Sequence, residues 1–147
     1  MKFMKLGIFK VLPIVFVLAV LVFAVPTQAF AYTIVAVNDY ADPMFIAMVS
    51  WNDDAENWRC HGWQVVQPFS SKNIDVPNAD SHRYVYIYAN TKGRTFSGDG
   101  YPHSISRTVN NGKFDYWDGE QCPPGNNMRK VYFAQYEIVG GRVDFEP

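Results

Sequence analysis

After Arg83, the segment Tyr84–Ala89 alternates strictly between tyrosine and aliphatic side chains. Neighbouring side chains of an extended strand point to opposite faces, so Val85, Ile87 and Ala89 form an apolar face and the three tyrosines form an aromatic one. Because both faces need cover, we expect this strand in the middle of an antiparallel sheet with a second layer packed on it. The pattern therefore predicts an all-β fold, an antiparallel β-sandwich.

Turn-forming residues recur at short intervals beyond residue 31, and the segments between them are rich in β-branched and aromatic residues. Asn111-Gly112 and Gly140-Gly141 predict two hairpin turns. Residues 128–139 also fit a helical stripe, but two-residue alternation and the glycines that follow favour a strand. We predict one domain, residues 32–147, with about eight or nine short strands, placed near 32–38, 44–51, 61–67, 72–76, 83–90, 103–109, 113–117, 130–139 and 142–146.

The first 31 residues have the features of a secretory signal peptide. Three lysines precede an uncharged run over residues 11–25, and Ala29-Phe30-Ala31 places small residues where a signal peptidase reads them. A retained membrane anchor is the alternative, since the apolar run could just span a bilayer. We predict export through the Sec route to a secreted or periplasmic location at the cell envelope, with membrane attachment only if the leader is uncleaved.

Charge and aromatic content limit the partners. Residues 32–147 hold ten Lys and Arg against fourteen Asp and Glu, a net charge of −4 with His neutral. That balance argues against nucleic acid as a partner. The same residues hold nineteen aromatic side chains, enough for a substantial core with a surplus for the surface.

Two cysteines, Cys60 and Cys122, are the full complement of the chain. An even number in an exported protein predicts a disulfide between them. Zinc binding is the alternative, but it needs two further ligands, and no pair of cysteines or histidines has zinc-finger spacing. No metal or other cofactor is predicted.

Several short motifs lie between Val37 and Gly98, namely Asn38, Phe45–Trp51, Gly62–Val66 with Pro68, Tyr86–Ala89 and Ser97-Gly98. Together they resemble the pattern of the bacterial family known as domain of unknown function 1036. The chain departs from the family pattern at Gln64, where a second Trp is expected, and at Phe69-Ser70, where a Gly is expected. The resemblance implies an exported or membrane-associated bacterial β domain, in a family without an established biochemical role.

No catalytic signature is present. Cys60 and His61 are adjacent, so on a strand they point to opposite faces and cannot form a nucleophile–base dyad. Asp115 and Asp118 flank two aromatic residues and could serve glycoside cleavage, although acids in loops are usually solvated. We therefore predict a protein that is not an enzyme and keep a glycoside hydrolase as the weaker alternative.

The aromatic surplus is the remaining functional clue. Exposed flat rings beside polar groups are surfaces on which a sugar or a protein partner stacks. Trp63, Tyr86 and Tyr88 either pack between sheets or line a groove, and the sequence leaves that choice open. We predict a binding module for a glycan or an envelope protein, and the alternative is a structural or assembly component that interacts through a sheet edge. The candidate ligand-binding residues are Trp58, Trp63, Tyr86, Tyr88, Tyr116, Trp117, Asp115 and Asp118.

Overall fold

A computed structural model describes residues 32–76, 82–138 and 142–145. These residues form ten β-strands and no helix, so the predicted all-β fold is confirmed. The predicted signal peptide, residues 1–31, lies outside the described residues. The strands are β1 Tyr32–Asn38, β2 Met44–Asn52, β3 Asn57–Val66, β4 Ser70–Val76, β5 Tyr84–Thr91, β6 Arg94–Phe96, β7 Ile105–Val109, β8 Phe114–Trp117, β9 Arg129–Glu137 and β10 Arg142–Phe145.

The strands form two sheets. The smaller sheet has the order β10-β1-β4, and the larger has the order β7-β9-β5-β2-β3-β8 with β6 added beside β5. The described pairs are antiparallel apart from β1 and β10, which run parallel from the Val35–Arg142 pair to the Asn38–Phe145 pair. The prediction of a purely antiparallel fold is therefore wrong at this pair, because β10 joins the edge of the smaller sheet instead of turning back on β9.

The central strand was predicted well. β5 lies inside the larger sheet between β9 and β2. Its Val85, Ile87 and Ala89 side chains are buried in an apolar cluster that also contains residues of the smaller sheet. We call this cluster the inter-sheet core, and its members are Ile34, Ala36, Met44, Ile46, Met48, Val66, Ile74, Val76, Val85, Ile87, Ala89, Ile138, Val143 and Phe145.

The other face of the larger sheet has its own apolar cluster, which we call the ring-lined core. Tyr88 belongs to it, and Trp58, Trp63 and Tyr86 pack at its margin. The tyrosine face of β5 therefore packs on other side chains of the larger sheet, and the smaller sheet does not cover it. The members of the ring-lined core are Ala47, Val49, Cys60, Tyr88, Val109, Phe114, Tyr116, Cys122, Val131 and Phe133.

Nine strands were predicted and ten are described. The additional strand is β6, three residues that follow the Gly93 turn and pair with the end of β5. β3 begins at Asn57, four residues before the predicted start, because Glu56 takes a positive φ of 46° and closes a tight turn after β2. The ambiguous segment at residues 128–139 is a strand, β9, as alternation indicated.

Both predicted hairpins are wrong in their pairing. β7 pairs with β9 and β8 pairs with β3, although Asn111-Gly112 connects β7 to β8. The buried Asn110 side chain shapes this connection instead: its Oδ1 accepts from the Gly112 N–H at 2.8 Å, and its Nδ2 donates to the Pro123 carbonyl at 2.9 Å. At the second site β10 pairs with β1, and Gly140-Gly141 itself lies outside the described residues.

The predicted Cys60–Cys122 disulfide is not confirmed, because the two sulfurs are not bonded in the structure. Both residues are buried in the ring-lined core. The Cys122 sulfur lies 3.8 Å from Asn110 Nδ2 and 3.6 Å from the Pro123 carbonyl oxygen. Burial raises the pKa of Cys60 to about 11 and also raises the pKa of Cys122, so both thiols stay protonated at neutral pH.

Candidate functional site

A β-bulge positions Trp63. Along the β2–β3 ladder Ile46 pairs with Gln64 and Ala47 pairs with Gly62, so Trp63 is the extra residue between them. Bulges occur beside functional sites because they redirect a side chain that regular alternation would place elsewhere. Gly62 makes room for the arrangement, since a Cβ there would lie 2.8 Å from the Phe114 ring.

The Trp63 ring is held from several sides. Its Nε1 donates to the Asn110 carbonyl at 2.9 Å. Phe114 meets it edge to face with ring centroids 5.6 Å apart, and the Tyr88 ring is tilted against it at 6.1 Å. Arg129 lies over the ring, with its Cζ atom 5.8 Å from the centroid. The indole is therefore fixed by the core and leaves only part of its surface for a ligand.

Trp63 lines a cavity of about 310 Å³ together with Phe45, Asn90, Asn111 and Arg129. We call it the Trp63 cavity. Phe45 and Asn90 face each other across the β2–β5 ladder, which brings an aromatic ring beside an amide. The Phe45 side chain is 42% exposed, unusual for a large apolar residue on an internal strand. The cavity thus combines ring faces, two amides and one guanidinium.

A second aromatic group lies at the end of the β2–β3 hairpin. Trp51 and Trp58 face each other across the ladder, with ring centroids 5.5 Å apart. His82 stacks on Trp51 at 4.1 Å, and Tyr86 meets Trp58 edge to face at 5.3 Å. Trp58 and Tyr86, both predicted as ligand-binding residues, therefore pack on other rings and are half-buried.

Two of the predicted residues line a cleft of about 440 Å³. Tyr116 and Asp118 are among its lining residues, and Arg107 pairs with Asp118 at 2.9 Å. Tyr116 is buried and donates its hydroxyl to the Thr108 carbonyl at 2.7 Å. Trp117 is half-buried with the Arg59 guanidinium over its ring, the Cζ atom 5.6 Å from the centroid. The cleft is lined by Ser106, Arg107, Thr108, Tyr116, Asp118, Glu120, Gln121, Cys122, Met128 and Lys130.

Asp115 forms an ion pair with Arg59 through both of its carboxylate oxygens. The hydrogen bonds from Arg59 hold the pKa of Asp115 below its usual range. A general acid in glycoside cleavage needs the opposite shift, because it must carry a proton at working pH. The environment of Asp115 therefore suits a structural ion pair.

Cys60 and His61 lie next to each other on β3 but have separate surroundings. Cys60 is buried in the ring-lined core, whereas the His61 Nε2 atom lies 3.3 Å from the Ser50 hydroxyl. Burial lowers the pKa of His61 to about 4, so its ring is neutral at physiological pH. The protonated thiol and the separate imidazole do not form a nucleophilic pair.

A further cavity, about 530 Å³, lies between the loop after β6 and the β9 strand. Tyr101, 68% exposed, and Tyr136 are among its lining residues, as are Asp99 and Gln135. This surface also combines rings with polar groups, but its charged residue is Asp99, whereas the charged residue of the Trp63 cavity is Arg129. We call it the Tyr101 cavity.

Within the described ranges, no group of three or more His, Cys, Asp or Glu side chains is arranged to hold a metal ion. The same residues contain no helix that is long and apolar enough to cross a membrane. In comparisons with known proteins, the chain matches no protein-family model, no curated protein and no solved structure. The resemblance to the family domain of unknown function 1036 therefore stays a prediction.

Sequence reasoning identified Trp63 but missed the other residues of its cavity: Phe45, Asn90, Asn111 and Arg129. β2 is apolar on both faces, so nothing in its pattern distinguishes the exposed Phe45 from its buried neighbours. Asn111 was predicted only as a turn residue, because asparagine tolerates the positive φ angles of a tight hairpin turn. The bulge that turns Trp63 toward these residues is a property of the ladder, which local alternation does not encode.

Proposed function

We propose that this chain is an exported, non-enzymatic β-sandwich protein that binds a glycan of the cell envelope at the Trp63 cavity. One observation carries the proposal: an exposed Phe45 ring and a fixed Trp63 ring share a cavity of about 310 Å³ with two amides and a guanidinium. Sugars are bound by ring stacking on their C–H faces and by hydrogen bonds to their hydroxyl groups, and ligand cavities start at about this size. The contribution of both sheets to the inter-sheet core supports the sandwich architecture.

The hydrolase alternative is less well supported. Asp115 and Asp118 are the acids on which it depends, and each is engaged by an arginine, Arg59 and Arg107 respectively. The lowered pKa of Asp115 keeps that carboxylate ionised, which suits neither a proton donor nor a residue alternating between protonation states. A binding role needs no such change of protonation.

The assembly alternative depends on an open sheet edge. β4 lies at one edge of the smaller sheet. Lys72 and Asp75 lie on this strand, and charged side chains on an edge strand suppress pairing with another chain. At this edge, the assembly role is therefore less well supported than glycan binding.

We expect Phe45→Ala to weaken glycan binding at least tenfold with little change in thermal midpoint, because the ring is exposed and its loss leaves the core intact. The measurement is a glycan array followed by titration calorimetry on the positive glycans. Tyr101→Ala is the matched control, since it removes an exposed ring from the Tyr101 cavity. Loss of binding in Tyr101→Ala with retention in Phe45→Ala would move the site, and an array without any positive glycan would refute the proposed function.

We further propose that Cys60 and Cys122 are oxidised to a disulfide after export. The two thiols would pass two electrons and two protons to an oxidised thiol–disulfide oxidoreductase of the envelope. Burial of both residues in one core supports this pairing.

An N-terminus at Tyr32, found by mass spectrometry of the protein recovered outside the cytoplasm, would support cleavage of the leader.

A bridge that closes a loop of about sixty residues is expected to raise the free energy of unfolding by roughly 4 kcal/mol in the chain-entropy model. Denaturation of the exported protein with and without reductant measures this difference. The Cys60→Ser/Cys122→Ser double variant should lose all sensitivity to reductant. Free thiols in the exported wild-type protein, detected by alkylation under denaturing conditions, would contradict the proposal.

A further inference from the structure

Arg129 is the charged group of the Trp63 cavity. It is half-buried at the start of β9, where Val109 is its ladder partner on β7. Its Nη1 donates to Asn111 Oδ1 at 2.7 Å, and its Cζ lies 5.8 Å from the Trp63 ring centroid. A ring and an amide therefore hold the guanidinium beside the cavity in a defined orientation.

Three other arginines of the described residues have anionic partners, whereas the exposed Arg94 donates to the Tyr40 hydroxyl. Arg59 pairs with Asp115, Arg83 with Glu137 and Arg107 with Asp118. For Arg129 no carboxylate of the described residues lies within 4.0 Å. A partly desolvated cation without a counter-charge is unfavourable, and an anionic ligand group in the adjoining cavity would relieve that cost.

We propose that the Trp63 cavity binds an acidic glycan, one whose sugar units carry a carboxylate, as uronic acids do. The proposal rests on the glycan-binding function above and specifies its ligand class. Arginine suits this group because its planar fork of N–H donors matches the two oxygens of a carboxylate. Phe45 supplies the stacking surface for the sugar ring, and the Asn90 amide supplies a donor and an acceptor for its hydroxyl groups.

The test compares two ligands with the same sugar backbone: the trimer of galacturonic acid, whose carboxylates are charged, and its fully methyl-esterified form, whose carboxyl groups are neutral. Calorimetry on the wild-type protein should show the acid binding at least about tenfold more tightly than the ester. Arg129→Gln should abolish the preference for the acid, so that the acid and the ester bind with equal affinity. Arg83→Gln is the matched control, because Arg83 is an exposed arginine that is ion-paired with Glu137 and does not line the cavity.

Ionic strength gives a second readout. Affinity for the acid should fall as salt rises, whereas affinity for the ester should not, because salt screens the charge–charge term alone. Equal affinities for acid and ester, or an unchanged acid affinity in Arg129→Gln, would overturn the acidic-ligand assignment while leaving glycan binding intact. A galactose trimer bearing sulfate that binds more tightly than the acid would overturn the carboxylate assignment. Failure of every glycan on the array would refute the proposed function itself.

Discussion

Asn38→Asp is expected to lower the free energy of unfolding by about 3–5 kcal/mol, the cost of leaving a charge buried without compensation. Asn38 is fully buried at the end of β1. Its Nδ2 faces three carbonyl oxygens, those of Asp42 at 3.0 Å, Gln67 at 3.1 Å and Val66 at 3.2 Å. A carboxylate at this position has two acceptor oxygens and no N–H group. It would therefore face these carbonyls without a proton to donate.

The same amide joins the two sheets. Asn38 lies on a strand of the smaller sheet, whereas Val66 ends β3 of the larger one. Its Oδ1 accepts the Tyr40 N–H at 3.0 Å, which also fixes the turn after β1. Loss of the donor therefore affects the connection between the sheets and not only one hydrogen bond.

Urea denaturation of wild type, Asn38→Asp and Asn73→Asp measures the effect. Asn73 lies on β4 with an exposed side chain, so the same chemical change there is expected to cost less than about 1 kcal/mol. Burial among carbonyl oxygens raises the folded-state pKa of an aspartate at position 38 above its unfolded value. The loss in free energy of unfolding relative to wild type should therefore be largest at pH values above that folded-state pKa. It should shrink as the pH falls through the folded-state pKa toward the unfolded-state pKa. Equal stabilities of the two variants at neutral pH would contradict the role assigned to Asn38.

Gly98→Ala is expected to destabilise the protein by about 3 kcal/mol, at the upper end of the usual cost of overpacking. A Cβ at residue 98 would lie 2.5 Å from the Phe133 carbonyl oxygen and 2.6 Å from its carbonyl carbon. These are backbone atoms of β9, and the Gly98 N–H is bonded to the neighbouring Tyr132 carbonyl at 2.9 Å. The clash can be relieved only by moving the loop away from a strand whose Phe133 side chain fills the ring-lined core.

Gly112→Ala is the matched control for this variant. A Cβ there would meet only the Asn110 side-chain oxygen, at 3.4 Å, which is close to ordinary van der Waals contact. Thermal and urea denaturation of both variants should show a large loss for residue 98 and a small one for residue 112. If the two losses differ by less than about 1 kcal/mol, the close approach of the loop to β9 does not limit stability.

The two positions also show what a motif conveys. Asn38 and Ser97-Gly98 were part of the resemblance noted in the sequence, but a motif states only which residues recur. The structure supplies the physical reasons: an amide that faces three carbonyl oxygens, and a Cα that lies too near a backbone carbonyl for any side chain. Trp63 is a third example, because its place in the strand was predicted and its bulge was not.

Alternation along the chain was sufficient to identify extended segments, since the period of two is a local property of neighbouring side chains. Every one of the nine predicted strands overlaps a described strand, and the two faces of β5 were assigned correctly. Only the tertiary structure decided which strands pair, because pairing depends on contacts between residues far apart in sequence. That is why β7 and β8 separate, why β10 joins β1, and why Phe45, Asn90, Asn111 and Arg129 meet around Trp63.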